Sequence, residues 1–241
     1  MSTITHSLAP TVRRRRVGMP FPPDKRRRVA GTAQEPWSGT GLVSASFPDA
    51  TVGESTGFVI GDRYVVTAAH AVYNADLGGL ATRVRFQPAR DAGATPFNTF
   101  EARAWRIPAK YPAKDLVRDD YCLLVLATPM PPEVVPYHLT AVDDSTLRRT
   151  EYQIAGYPDD KQPDNSMWYA AGAIASVDML TLQYRISTSH GQSGAAVASY
   201  LDTGGTTVVG IHSRVNDDDT ANVAVRVTQE VIAQIEAWKQ P

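Results

Sequence analysis

The chain has 241 residues, 43% of them hydrophobic and 20% charged, with a formal net charge of -1. This composition suits one large or two small globular domains and excludes disordered, fibrous and low-complexity classes. No apolar run approaches the ~18 residues of a membrane span, and the single cysteine, Cys122, excludes an internal disulfide and a Cys-rich zinc site.

The charge is balanced overall but not along the chain. Residues 1–30 hold eight basic side chains (Arg13 to Arg16, Lys25 to Arg28) against Asp24, so this stretch carries +7 and the remainder -8. Such an arm invites a nucleic-acid reading. No aromatic lies within the arginine run, which favours a solvated arm or a processing site. Pro10, Pro20, Pro22 and Pro23 resist a membrane-binding helix. Met1 to Pro10 shows no basic segment followed by an apolar stretch, so no export signal is legible there. The compartment is left open.

After Gln34 the pattern is short and β-like. Runs rich in Val, Ile, Thr and aromatics, bounded by turn residues, predict strands at Gly41–Phe47, Gly57–Ile60, Arg63–Thr67, Arg83–Gln87, Phe100–Trp105 and Tyr121–Leu126. A second set is predicted at Tyr152–Ala155, Met167–Ala170, Thr181–Ser187, Ala195–Ser199, Thr206–Ile211 and Ala221–Val227. No helices alternate with these strands, which argues against a parallel sheet and for barrels or sandwiches. Pro129 to Pro136 reads as the connection between two halves, and no internal repeat is detectable. A short turn is expected over Thr67–Tyr73. Val231, Ile235 and Trp238 share one face of a helix predicted at Gln229–Lys239.

Three local patterns carry chemistry. Val65-Val-Thr-Ala-Ala-His70 ends an apolar strand in a histidine, and Asp119-Asp120 opens the apolar run Tyr121-Cys-Leu-Leu-Val-Leu126. Gly191-Gln-Ser193-Gly194 precedes the apolar Ala195-Ala-Val197. A serine hydroxyl needs a base within hydrogen-bond reach, histidine suits that work at neutral pH, and a carboxylate can orient the base. Glycines let amide N–H groups at Gly191 and Ser193 converge on a developing oxyanion. Each fragment alone is a weak signal. Their order, His70, Asp120, Ser193 on an all-β pattern, is that of the chymotrypsin class and not of the α/β-hydrolases. Asp115 and Asp119 compete with Asp120, which directly precedes the apolar strand. The five histidines, His6, His70, His138, His190 and His212, show no metal-ligand spacing.

On these residues the chain resembles a chymotrypsin-fold serine protease, and specifically the glutamyl endopeptidase family. The narrower resemblance rests on Gly156-Tyr-Pro-Asp-Asp-Lys161, Met167-Trp168, Gly172-Ala-Ile174, Tyr184, Ser187-Thr188, Gly191-Gln-Ser-Gly194 and Gly210-Ile-His212, in the family's order and at similar spacing. It covers roughly residues 17–241 and is weak over 75–115. The resemblance implies two six-stranded antiparallel β-barrels with the active site between them, and a C-terminal helix. It implies a serine endopeptidase cleaving after Glu, less readily after Asp, without a cofactor and with protein or peptide substrates.

The same resemblance assigns the acidic side chain of the substrate to His212, Thr188 and the free α-amine of the mature chain. Arg13-Arg-Arg-Arg16 precedes Val17-Gly-Met-Pro20. Residues 1–16 are therefore expected to be a pro-segment of a zymogen, cut after Arg16 by an activating protease to free the amine of Val17. If the arm is never cut, a protease of different specificity follows. Family members act outside the cell. Two departures stand out: His190 beside Gly191, and Gly194-Ala-Ala where the family more often has Gly-Ser-Pro or Gly-Gly-Pro. His190 is expected to be exposed and Cys122 to be an inert buried thiol. The competing reading from another class is a catalytically silent protease-like binding module.

Overall fold

The computed structural model describes residues 18–201 and 205–240. All twelve expected strands form. In the first half they are β1 Thr40–Ser46, β2 Val52–Gly61, β3 Tyr64–Thr67, β4 Arg83–Pro88, β5 Phe100–Arg106 and β6 Cys122–Leu126. In the second half they are β7 Glu151–Gly156, β8 Trp168–Val177, β9 Thr181–Tyr184, β10 Ala196–Leu201, β11 Gly205–Val215 and β12 Asn222–Arg226. Three short helices accompany them: α1 Tyr111–Lys114, α2 Asp144–Arg149 and the C-terminal α3 Gln229–Lys239.

The first barrel closes in the order β1-β2-β3-β6-β5-β4. The second closes as β7-β8-β9-β12-β11-β10. Both are six-stranded and antiparallel, and the second repeats the strand order of the first. The topology is duplicated although the sequence shows no repeat, because closure constrains the alternation of inward side chains rather than their identity.

Strand β6 shows why its sequence is a continuous apolar run. Cys122, Leu124 and Leu126 point into the first barrel. Leu123 and Val125 point into a second core shared with the other barrel and α3. Burial on both faces removes the polar alternation of a half-exposed strand. Neighbouring strands behave likewise: Val65 and Val66 of β3 divide between the same two cores, as Ala224 and Val225 of β12 divide between the second barrel and the shared core. The shared core seats α3 through Val231 and Ile235. Thr228 caps that helix by accepting the Val231 N–H at 3.3 Å, and Trp238 packs on Tyr121 with ring centroids 5.6 Å apart.

The segment before the first barrel is tied to the second. Arg27 and Arg28 pair with Tyr169 and Trp168 of β8. The Phe21 N–H donates to Ser187 Oγ at 2.9 Å. Asn222 in β12 accepts the Met19 N–H through its amide oxygen and donates its Nδ2 to the carbonyls of Met19 and Ile186, each contact at 2.9 Å.

Candidate active site

His70 lies in the tight turn Ala69–Ala71 that follows β3. Asp120 is held at the entrance to β6, fully buried between the barrels. His70 Nδ1 lies 2.8 Å from Asp120 Oδ2, and the His70 backbone N–H donates to Asp120 Oδ1 at 3.0 Å. Two bonds from one residue to both carboxylate oxygens fix the ring against the carboxylate. Ser213 Oγ also donates to Asp120 Oδ2, and Arg214 Nη2 donates to the same oxygen at 3.2 Å. Burial alone would push the Asp120 carboxyl up. The charges of His70 and Arg214 and the donated hydrogen bonds outweigh burial and hold it well below the usual carboxylate range.

The other two aspartates point elsewhere. Asp119 ends a turn at Val117–Asp119, with a carboxylate oxygen 3.8 Å from Arg118 Nε. Asp115 pairs with Arg214 at 2.7 Å.

Ser193 sits in the loop between β9 and β10. Its carbonyl accepts the Thr56 N–H at 2.9 Å, and Gly194 donates to the His212 carbonyl at 2.8 Å. Gly194 has φ +81°, and a Cβ there would lie 2.3 Å from Thr67 Oγ1 and 2.6 Å from Ala68 N. The serine loop is therefore pressed on the strand end that leads into His70. Both Ser193 Oγ and His70 Nε2 are buried and lack a hydrogen-bond partner among the described residues.

Two carbonyls set the peptide planes on either side. The Asp159 N–H donates to the His190 carbonyl at 3.0 Å, and the Ala195 N–H donates to the Gln192 carbonyl at 3.1 Å. In a trans peptide the N–H points opposite to its carbonyl, so the Gly191 and Ser193 N–H groups face away from these anchors. Among the described residues neither N–H donates to an acceptor. Gly191 has φ +90°, and a Cβ there would lie 2.1 Å from the Tyr157 carbonyl oxygen.

His212 and Thr188 are also buried. The His212 N–H donates to the Ala195 carbonyl at 2.8 Å, and its Nδ1 lies 2.7 Å from the Tyr184 hydroxyl. Thr188 Oγ1 is buried without a partner among the described residues. A Cβ on Gly18 would lie 2.9 Å from that oxygen. Val17 and Arg16 lie outside the described residues. His190 is exposed, with Nδ1 3.2 Å from Asp159 Oδ2, and Cys122 is fully buried.

The sequence reading did not find Thr56, Asn222, Ser213 or Arg214. A threonine in one barrel that contacts the serine loop of the other leaves no local signal, since the two are 135 residues apart. Ser213 and Arg214 follow His212 directly, but the register shift between β11 and β12 at this point aims them at Asp120. Among the described residues no group of three or more His, Cys, Asp or Glu side chains could hold a metal ion.

The trypsin-like peptidase domain model matches residues 55–211, more than half of the chain. The chain belongs to the trypsin-like peptidase family. This trypsin-like peptidase is 29% identical to the glutamyl endopeptidase of Bacillus licheniformis over 221 residues, covering 90% of the chain and 67% of that protein. It is also 29% identical to a Bacillus subtilis protein named extracellular metalloprotease, covering 89% of the chain and 68% of that protein. A solved Glu endopeptidase superposes with a TM-score of 0.78 at 23% identity, covering 90% of this chain and 97% of that one. The inactivated scabies mite protease paralogue shares the fold, with a TM-score of 0.68 at 15% identity, covering 89% of this chain and 100% of that one.

Proposed function

We propose that this serine protease is an endopeptidase that cleaves after Glu, and less readily after Asp, through Ser193, His70 and Asp120. Ser193 Oγ attacks the scissile carbonyl. His70 takes the serine proton at Nε2 and returns it to the leaving amine, while Asp120 holds the ring and stabilises the imidazolium. The N–H groups of Gly191 and Ser193 stabilise the oxyanion. The observation that carries the reading is the His70–Asp120 contact, with Ser193 Oγ and His70 Nε2 both buried and without a partner among the described residues.

Selection of an acidic side chain falls to His212 and Thr188. A carboxylate leaves water only where charge-assisted or well-aimed hydrogen bonds replace hydration, and the buried Thr188 hydroxyl, without a partner among the described residues, supports such a role. Cleavage of residues 1–16 by an activating protease would free the Val17 amine, one residue from the Gly18 contact with Thr188. That amine would bring a positive charge to the same place. The relative named extracellular metalloprotease supports action outside the cell.

The test is a peptide panel varying only the residue before the scissile bond: Glu, Asp, Gln, Lys and Phe. It is run on the intact chain, the chain cut after Arg16, and a cut Ser193→Ala control. The expected result is glutamate-selective cleavage that needs both the cut and Ser193. No Ser193-dependent cleavage of any peptide would favour a binding module. In His212→Ala, a fall in kcat/KM on glutamyl but not neutral peptides is expected, and equal loss on both would sink the acidic pocket.

A further inference from the structure

Arg214 is a buried cation that the proposed triad does not by itself require. Its side chain is 7% exposed, and both Nε and Nη2 of its guanidinium are partnered. Nη2 lies 3.2 Å from Asp120 Oδ2, 2.7 Å from Asp115 Oδ1 and 3.3 Å from the Tyr111 hydroxyl, while Nε donates to Ser213 Oγ at 3.1 Å. Asp120 already accepts from His70 twice and from Ser213. A carboxylate offers about four acceptor sites, so Arg214 supplies the fourth hydrogen bond and, unlike Ser213, brings a full positive charge with it.

The surroundings hold this cation in place. Asp115 adopts a left-handed φ of +43° as the residue that ends α1, an uncommon backbone state in which aspartate is over-represented. Tyr111 is buried against Tyr73 with ring centroids 6.2 Å apart. Burial and the neighbouring Asp120 push its phenol up, so it stays neutral. The Cys122 thiol, buried in β6, is likewise pushed up and neutral. Asp119 is turned to Arg118, and His212 on β11 is turned to Tyr184. Among the described residues the charges facing the His70–Asp120 pair are therefore Arg214 and, behind it, Asp115.

We propose that Arg214 is a positioning residue that sets the pH range of the reaction. It acts as a fixed cation on Asp120 that makes the His70–Asp120 pair hold its inactivating proton less tightly. The proposal rests on the triad reading above. Asp120 would otherwise offer its full negative charge to a protonated His70. Arg214 shares that charge, so the free base persists to lower pH, and Asp115 moderates the effect from a half-exposed position.

The experiment is the pH dependence of kcat/KM on one glutamyl peptide, with Ser193→Ala as control. In Arg214→Gln the acid limb is expected to move up by about one pH unit, the size of a close charge effect. Arg214→Lys restores the charge and is expected to hold the limb near the wild-type position. Asp115→Asn is expected to move it the opposite way and by less, because solvent screens an exposed carboxylate. A fall in kcat/KM at every pH with the limb unmoved would mark Arg214 as merely structural and overturn the proposal. So would Asp115→Asn and Arg214→Gln moving the limb in the same direction. If Arg214→Gln does not fold, Asp115→Asn decides alone: no downward shift overturns the proposal. Cleavage that survives Ser193→Ala would overturn the triad reading and this inference with it.

Discussion

Thr56 Oγ1 donates to the Gly191 carbonyl at 2.8 Å, and the same oxygen accepts the Tyr157 N–H at 3.1 Å. Through its backbone, Thr56 also donates to the Ser193 carbonyl at 2.9 Å and accepts from Thr67 Oγ1 at 2.7 Å. One buried residue of the first barrel thus holds both ends of Gly191-Gln-Ser193 and the strand that leads to His70. The two halves of the site come from different barrels, and Thr56 fixes their relation.

Thr56→Val keeps the shape and removes the hydroxyl. It leaves the Gly191 carbonyl and the Tyr157 N–H without that partner, at a cost of about 1–3 kcal/mol for each group left buried and unpaired. The loop that carries the Gly191 and Ser193 N–H groups then loses an anchor. We expect kcat to fall by about tenfold to a hundredfold with KM little changed, and Thr56→Ser to recover most of it. An unaltered kcat in a folded Thr56→Val protein would show that the loop is held by other contacts.

Asp120→Asn tests the pair itself. The amide cannot stabilise the imidazolium, and its NH₂ group would face one of the donors now shared among His70, Ser213 and Arg214. We expect kcat to drop by about 10⁴-fold, as in triads of this kind. Asp119→Asn, whose carboxylate lies 3.8 Å from Arg118 and makes no bond to His70, is expected to stay within about threefold of wild type, the scale of a weak charge pair. A larger loss in the second variant than in the first would reverse the assignment.

Gly191 and Gly194 occupy left-handed backbone and have no room for a methyl group. In Gly194→Ala the new Cβ would meet Thr67 Oγ1 at 2.3 Å and the Thr56 carbonyl oxygen at 2.4 Å. Both atoms belong to the packed strand pair β2–β3, so neither yields cheaply. Thermal denaturation should show a loss of about 3 kcal/mol or more, the combined scale of strain and overpacking. A stable, fully active Gly194→Ala protein would mean that the loop has another conformation.

How much of this was legible in the sequence follows from where each signal resides. The barrel strands announce themselves locally, because β-branched and aromatic runs between turn residues need no knowledge of partners. Strand ends were less clear. The run at Gly57–Ile60 extends to Val52–Gly61, since Gly53, Ser55 and Thr56 pair with β1 although they look like turn residues. Helix α2 was missed. Its Asp143 cap, which accepts from the Ser145 and Thr146 N–H groups, lies in a polar stretch that resembles a loop. His70, Asp120 and Ser193 could be nominated because each ends or opens an apolar run. Ser213, Arg214, Thr56 and Asn222 could not, since their importance lies in contacts across 93 or more residues.

Asn222 joins the N-terminal segment to the pocket wall. Its side chain binds Met19 at both N–H and carbonyl and also the Ile186 carbonyl. The Thr188 N–H donates to the same Met19 carbonyl at 3.2 Å. Asn222→Ala should release residues 18–21 from Thr188. For the chain cut after Arg16, we expect the Glu-over-Gln preference to fall by about tenfold, the scale of one or two lost buried hydrogen bonds, while cleavage of neutral peptides is kept. Equal loss on both substrates would mean that Asn222 serves the fold and not the pocket.

Arg26 links that same segment to the loop at Asp160, and it makes stability depend on acid. Its side chain is 1% exposed and pairs with Asp24 and Asp160, while Lys161 Nζ lies 2.8 Å from Asp24. The Arg26 hydrogen bonds hold the Asp24 carboxyl well below the usual range, against the upward push of burial. At Asp160 burial is the largest influence and pushes upward, yet Arg26 prevails and the carboxyl is again lowered. A carboxyl lowered on folding contributes stability above its unfolded value of about 4, and that contribution is lost as pH falls below it. Both carboxylates are partly exposed, so solvent discounts the contribution. We expect Arg26→Met to cost about 1–2 kcal/mol near neutrality, seen as a Tm lower by about 2–8 °C for a chain of this size. The gap should narrow toward about pH 3, where the carboxylates take up protons in the unfolded chain and the advantage of the folded pairing shrinks. A Tm difference that stays constant from neutral to acid would show that Arg26 acts through the packing of its aliphatic stem alone.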